Sequence, residues 1–96
     1  MHIYIIMMAK LVCYSLGKAN ATTRRNFHRE MYGYRDVSCN GKYVYQRKGI
    51  LGKIKHKKIM DAIILTSPDN MKIVLRHLRK YNAKKRVFDV LTNENL

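Results

Sequence analysis

The chain has 96 residues, enough for one domain and too few for two. Twenty Lys and Arg against six Asp and Glu give a formal charge of +14 and an isoelectric point near 10.1, a balance that points to a polyanionic partner and away from ordinary enzymes. A hydrophobic content of 47% excludes a disordered basic tail, and Lys10 interrupts the apolar run Ile3 to Ala9 well short of the roughly 20 residues a membrane-spanning helix requires.

The expectation is therefore a folded basic domain, cytoplasmic and without a membrane partner. Ala19-Asn20-Ala21 has the form of a signal-peptide cleavage site, but no Lys or Arg precedes the apolar stretch and Lys10 splits it, which tells against that reading. Cys13 and Cys39 form neither a CxxC pair nor part of a Cys/His quartet, so the reducing cytosol fits better than a disulfide framework or a zinc site. Met8-Ala9-Lys10 makes an ordinary start, so residues 1–7 read as an N-terminal extension or as extra strand residues. Residues 8–92 read as the domain and 93–96 as a polar tail.

The first predicted element is a central strand, Lys10 to Leu16. Asn20 and Thr22 are cap candidates for a short helix in which Phe27 and Met31 share the inner face and Arg24, Arg25, His28 and Arg29 the outer one, ending near Gly33. Tyr32 and Tyr34 bracket that glycine and are expected to pack the helix end. Cys39-Asn40-Gly41-Lys42 is a hairpin signal, because Asn-Gly tolerates the positive φ of a type I′ turn. Its incoming arm, Tyr34 to Cys39, is expected to be short and irregular; as a full strand it would add one strand to the fold. The outgoing strand, Lys42 to Lys48, alternates Tyr43, Tyr45 and Arg47 on one face with Val44 and Gln46 on the other. Gly49 to Lys58 reads as a basic connection and Ile59 to Thr66 as a second buried strand. Ser67-Pro68-Asp69 starts a helix running to about Tyr81, with Met71, Val74, Leu75 and Leu78 inward and Lys72, Arg76, Arg79 and Lys80 outward. Lys85 to Leu91 is the last strand.

This order is β-α-β-β-α-β, which predicts an α+β, ferredoxin-like sandwich: an antiparallel sheet with two helices on one face and the other face open to RNA, a ligand or a second copy.

The charge is concentrated. The twenty residues from Gly41 to Met60 hold seven Lys and Arg and no acid. Lys42, Arg47, Lys48, Lys53, Lys55, Lys57 and Lys58 are candidate phosphate contacts beside Tyr43 and Tyr45, which either stack bases or cover the helices as core residues. A solvated, lysine-protected strand edge is the plain alternative. Arg24, Arg25 and Arg29 on the first helix, and Arg76, Arg79 and Lys80 on the second, are candidates for further phosphate contacts. Asp36, Asp61 and Asp89 are the only acids that a metal-dependent nuclease reading offers, and His2, His28, His56 and His77 lack metal-ligand spacing, so neither a cofactor nor a metal is expected. His28 and His77 are expected at the surface, and Cys13 in the core.

Lys10-Leu11-Val12-Cys13-Tyr14-Ser15-Leu16, with Arg24-Arg25 and Phe27 following, resembles the first strand and helix of the small dimeric CRISPR adaptation endonuclease family. In that family an Asp normally ends the first strand and takes part in metal binding. Ser15 stands there in this chain, so the resemblance implies a basic, dimeric, nucleic-acid-binding ferredoxin-like body and puts cleavage in doubt. Gly41-Lys42-Tyr43-Val44-Tyr45 is similar to part of the aromatic strand motif of the RNA-recognition-motif family, which shares the element order, but it falls on an earlier strand than that motif occupies.

The leading expectation is a non-catalytic nucleic-acid-binding protein that takes structured RNA, ribosomal RNA included, in preference to specific DNA through the basic hairpin and the loop after it, since no helix-turn-helix or zinc finger is present to read a major groove. A metal-dependent nuclease of the CRISPR adaptation type is the alternative. A homodimer formed through the open sheet face, structural or regulatory and serving an acidic partner, is the third.

Overall fold

The computed structural model describes residues 6–96. Its elements are β1 (Met7–Ser15), α1 (Ala21–Tyr32), β2 (Tyr34–Ser38), β3 (Tyr43–Arg47), a 3₁₀ turn (Ile50–Lys53), β4 (His56–Met60), β5 (Ile63–Thr66), α2 (Pro68–Lys80) and β6 (Lys84–Thr92). Of the expected N-terminal extension, residues 1–5 lie outside the described residues, and Met7 already belongs to β1.

Both helices start where local chemistry directs. The Asn20 side chain accepts the Thr23 amide at 2.8 Å, and Ser67 accepts the Asn70 amide at 3.2 Å with Pro68 in the first turn and Asp69 beside the positive end of the helix dipole. Gly33 ends α1 at φ +83°, a conformation that favours glycine.

Four strands form one antiparallel sheet in the order β4-β5-β1-β6, and β2 pairs only with β3 in a separate two-stranded ribbon. The helices cover one face. Val12 and Tyr14 of β1 and Ile64 of β5 meet Phe27 and Met31 of α1, Val74 and Leu78 of α2, and Leu51 of the 3₁₀ turn in a single buried cluster. Alternation sends Leu11, Cys13, Ile63 and Leu65 to the opposite face.

Three expectations need correction. The arm before the Asn-Gly turn is a regular strand, β2, which adds one strand to the four expected, and the division of Ile59 to Thr66 adds another, making six among the described residues. The stretch Ile59 to Thr66 is not one strand: the chain reverses at Asp61-Ala62, with Ala62 at φ +64°, and β4 and β5 form a hairpin. The basic connection Gly49 to Lys58 contains the 3₁₀ turn and most of β4, whose lysines suit an exposed sheet edge. The second strand of the main sheet is thus β4, and the Tyr43-bearing strand lies outside that sheet.

The face away from the helices is also not wholly open. β4 and β6 are opposite edges, yet Glu94, just beyond β6, pairs with Lys57 of β4 at 2.5 Å. Ala9 and Leu65 lie on this face and are buried with no helix above them, so the C-terminal tail crosses one end of it. Phe88 and Met60 remain exposed elsewhere on the same face.

A candidate nucleic-acid interface

The ribbon of β2 and β3 stands clear of the body. Every residue of β3 is exposed, Val37 and Val44 are about half exposed on one ribbon face, and Tyr43 and Tyr45 are 45% and 50% exposed on the other. The alternative in which the tyrosines cover the helices is therefore excluded. The molecule measures 55 × 34 × 20 Å with a radius of gyration of 15.8 Å, against about 12.5 Å for a compact chain of this length.

A lone two-stranded hairpin is only marginally stable, so its turn and its root carry the burden of holding it. Asn40 and Gly41 take φ of +56° and +89°, and the Lys42 amide closes the turn on the Cys39 carbonyl at 3.1 Å, the arrangement the Asn-Gly pair predicts. At the root, Gly33 and Gly49 pass backbone to backbone. A Cβ on Gly49 would overlap the Met31 carbonyl and the Gly33 amide, and one on Gly33 would overlap the Arg47 carbonyl. The two glycines thus clamp both ends of the ribbon against the C-terminus of α1.

One face of the ribbon is a ladder of rings and cations. Register places Ser38 opposite Tyr43, Asp36 opposite Tyr45 and Tyr34 opposite Arg47. The Lys42 ammonium lies 5.6 Å from the Tyr43 ring centre, the Arg47 guanidinium 5.5 Å from that of Tyr45, and the Arg29 guanidinium of α1 4.6 Å from that of Tyr34. Arg47 also donates two hydrogen bonds to Asp36 at 3.1 and 3.2 Å, which ties the two strands together.

Tyr34 carries this face into a groove of about 450 Å³ at the arm's root, bordered by Asn26, Arg29 and Glu30 of α1 and by Lys48 and Lys53, with Ile50 and Tyr81 at its wall. Glu30 is the groove's only carboxylate, and it is fully engaged. Both of its oxygens accept from Lys80 at 2.9 Å, and Oε1 also accepts from the Tyr81 hydroxyl at 2.8 Å. The Lys80 ammonium chiefly holds the Glu30 pKa below the ordinary carboxylate range, and Glu30 in turn raises that of Lys80. Among the described residues, Arg29, Lys48 and Lys53 have no carboxylate within ion-pair distance.

The other expected contacts divide. Lys42 and Arg47 lie on the ladder, Lys48 and Lys53 border the groove, and Lys55 is exposed between the groove and β4. Lys57 and Lys58 point to opposite sheet faces and each has a carboxylate partner, Glu94 and Asp61 respectively. Arg24 is turned to the backbone, donating to the carbonyls of Gly17 and Ala19, where it stiffens the turn before α1. Arg25, Arg76 and Arg79 are exposed on their helices, and Lys80 links α2 to α1 through Glu30. Tyr34, Asn26 and Tyr81 were not expected at the site. Asn26 and Tyr34 have Arg29 and Glu30 close by in the chain, but Lys48, Lys53 and Tyr81 reach the groove from distant segments, and only the ring of Tyr34, next to the helix-ending glycine, offers any signal.

His77, expected at the surface, is buried. Its ring stacks on Phe27 at 4.5 Å, its Nε2 donates to the Phe27 carbonyl at 3.1 Å, and its Nδ1 lies 3.5 Å from Glu30. Burial lowers its pKa against the opposing pull of the Phe27 carbonyl and the Glu30 carboxylate.

The nuclease candidates are dispersed. Asp36 pairs with Arg47 on the arm, Asp61 with Lys58 in the β4–β5 turn, and Asp89 with Lys10 in the β1–β6 pair. Among the described residues, no three His, Cys, Asp or Glu side chains come together as a metal site. Ser15 accepts the Gly17 amide at 3.1 Å in the turn after β1. Nearby, the Tyr14 and Tyr32 hydroxyls lie 2.7 Å apart, and burial with that hydrogen bond holds the Tyr14 phenol protonated far above its ordinary range. No helix among the described residues is long and apolar enough to cross a membrane.

Comparison with protein-family models, with curated proteins and with solved structures finds no match, so the two family resemblances stand on the residues quoted for them alone.

Proposed function

We propose that this chain is a non-catalytic nucleic-acid-binding protein that takes RNA in preference to DNA, ribosomal RNA included, along the β2–β3 arm and its root. The observation that carries this reading is the free-standing ribbon whose Tyr43, Tyr45 and Tyr34 rings alternate with Lys42, Arg47 and Arg29 and whose rings do not serve the core. Exposed rings beside cations suit unpaired bases and their phosphates, each stacked base contributing roughly 1–3 kcal/mol. Lys42, Lys48, Lys53, Lys55 and Arg29 neutralise phosphates, Tyr43 and Tyr45 stack, and Lys57 stays with Glu94 on the far side of the sheet.

The body is proposed to be ferredoxin-like with the ribbon inserted between α1 and β4. The β1-α1-β4-β5-α2-β6 order, the antiparallel order β4-β5-β1-β6 and the two helices on one face support this. Phe88 and Met60, exposed on the face away from the helices, favour a homodimer there as a companion arrangement. Sedimentation of nuclease-treated protein as a monomer would remove that part alone.

Fluorescence anisotropy with labelled single-stranded RNA, duplex RNA and the matching DNAs tests the main reading. Tyr43→Ala/Tyr45→Ala is expected to weaken RNA binding at least tenfold while the thermal unfolding midpoint stays put, because neither ring packs on the core. Equal RNA affinity of this variant and the parent protein would refute the arm as the binding surface.

A further inference from the structure

Arg29, Lys48 and Lys53 reach the root groove from three separate elements: α1, the link after β3, and the 3₁₀ turn. Three like charges around one concavity repel one another, and the groove's carboxylate does not relieve them, since Lys80 and Tyr81 already occupy it. Arg29 is further fixed by its contact with the Tyr34 ring, and the Gly33–Gly49 crossing fixes the backbone beneath. The result is a preformed, positively charged concavity within the 300–1,000 Å³ range of small-ligand sites. Concave walls focus such a field, and a guanidinium with two ammonium groups matches the several oxygens of one phosphate.

We infer that the groove at the arm's root is a discrete phosphate-binding site, distinct from the stacking ladder, that seats a single phosphate group, with the Asn26 side-chain amide as a neutral donor beside the three cations. The inference rests on the nucleic-acid reading for its natural ligand, the phosphate of a strand lying along the arm. The same chemistry also accepts a free mononucleotide.

The test uses the full chain and two probes, inorganic phosphate and adenosine monophosphate, titrated at constant ionic strength and followed by backbone amide shifts in NMR. Saturable shifts confined to residues around 26–34 and 48–53 are expected. Arg29→Gln/Lys53→Gln is expected to weaken phosphate binding at least tenfold, and the single variant Lys48→Gln to weaken it several-fold; circular dichroism checks that each is folded, and the exposed Lys48 keeps the test available if the double variant is not. Tyr43→Ala/Tyr45→Ala is expected to bind phosphate as the parent does even where it has lost RNA, which separates this site from the arm reading. Tighter binding of a short oligonucleotide than of adenosine monophosphate, with the same groove shifts, assigns the site to strand phosphate; the reverse assigns it to free nucleotide. Shifts spread over all lysine-bearing surfaces, or full phosphate affinity in both groove variants, would overturn the inference.

Discussion

The most discriminating prediction concerns salt. On the arm and its root, Arg29, Lys42, Lys48, Lys53 and Lys55 have no carboxylate partner among the described residues, whereas Arg47, Lys57 and Lys58 each have one. If Lys42 and Lys55 each neutralise one phosphate of a single strand and Arg29, Lys48 and Lys53 together neutralise the one in the groove, log K should fall with log salt at a slope of about −2.1. Raising salt fourfold, from about 50 to about 200 mM, then weakens binding roughly 20-fold. Lys48→Gln/Lys53→Gln strips the groove of two of its three cations and with them its phosphate contact, which reduces the slope to about −1.4 and shrinks the same loss to roughly 7-fold. Lys57→Gln leaves the slope unchanged, because its ammonium lies on the far face beside Glu94. Asp36→Asn releases Arg47 and steepens the slope by about 0.7. Anisotropy titrations at four or five salt concentrations measure all of these. A parent slope shallower than about −1, or a Lys57→Gln effect as large as that of the groove pair, would refute the assignment of contacts.

Three further outcomes follow from the packing. Gly49→Ala drives a Cβ into the Met31 carbonyl and the Gly33 amide, backbone groups that cannot rotate aside, and is expected to cost about 3 kcal/mol, the upper end for overpacking. A urea midpoint equal to the parent's would show that the crossing is looser than described. Because burial depresses the His77 pKa, the unfolded chain binds the proton more readily, so this residue's contribution is complete above the ordinary imidazole range and is lost as the pH falls through the folded value. Unfolding between about pH 7 and about pH 5 should therefore show a decline that His77→Gln flattens; equal decline in both proteins would assign it elsewhere. Amide exchange in the arm should run far ahead of exchange in β1, since the arm opens without disturbing the core; matched protection in the two would mean that the ribbon is packed against something.

The elements legible in the sequence are those marked by local chemistry. Asn20, Gly33, Asn40-Gly41 and Ser67-Pro68-Asp69 each act through backbone geometry within a few residues, and each sits where expected. The misread stretch is different in kind. His56-Lys57-Lys58 looks like a loop because edge strands tolerate lysine, and the reversal at Asp61-Ala62 places an alanine at positive φ without any glycine to announce it. The basic neighbours of His77 point to the surface, but its partner is a carbonyl fifty residues away. Half of the candidate site was visible as the charge and rings of the hairpin. The groove was not, because its cations come together only through the packing of α1 against the 3₁₀ turn.

The clamp of Gly33 against Gly49 also divides the chain into two regions with different tolerance to change. Between those glycines, ring, charge and even ribbon length can vary without a void or a clash reaching Phe27 or Met31, since no residue of β2 or β3 belongs to the buried cluster. On the proposed reading of the arm, exchanging residues 35–46 alone would change target preference, with the body kept as a constant scaffold. The arm is in that sense a cassette whose two joints, and not its contents, are what the fold requires.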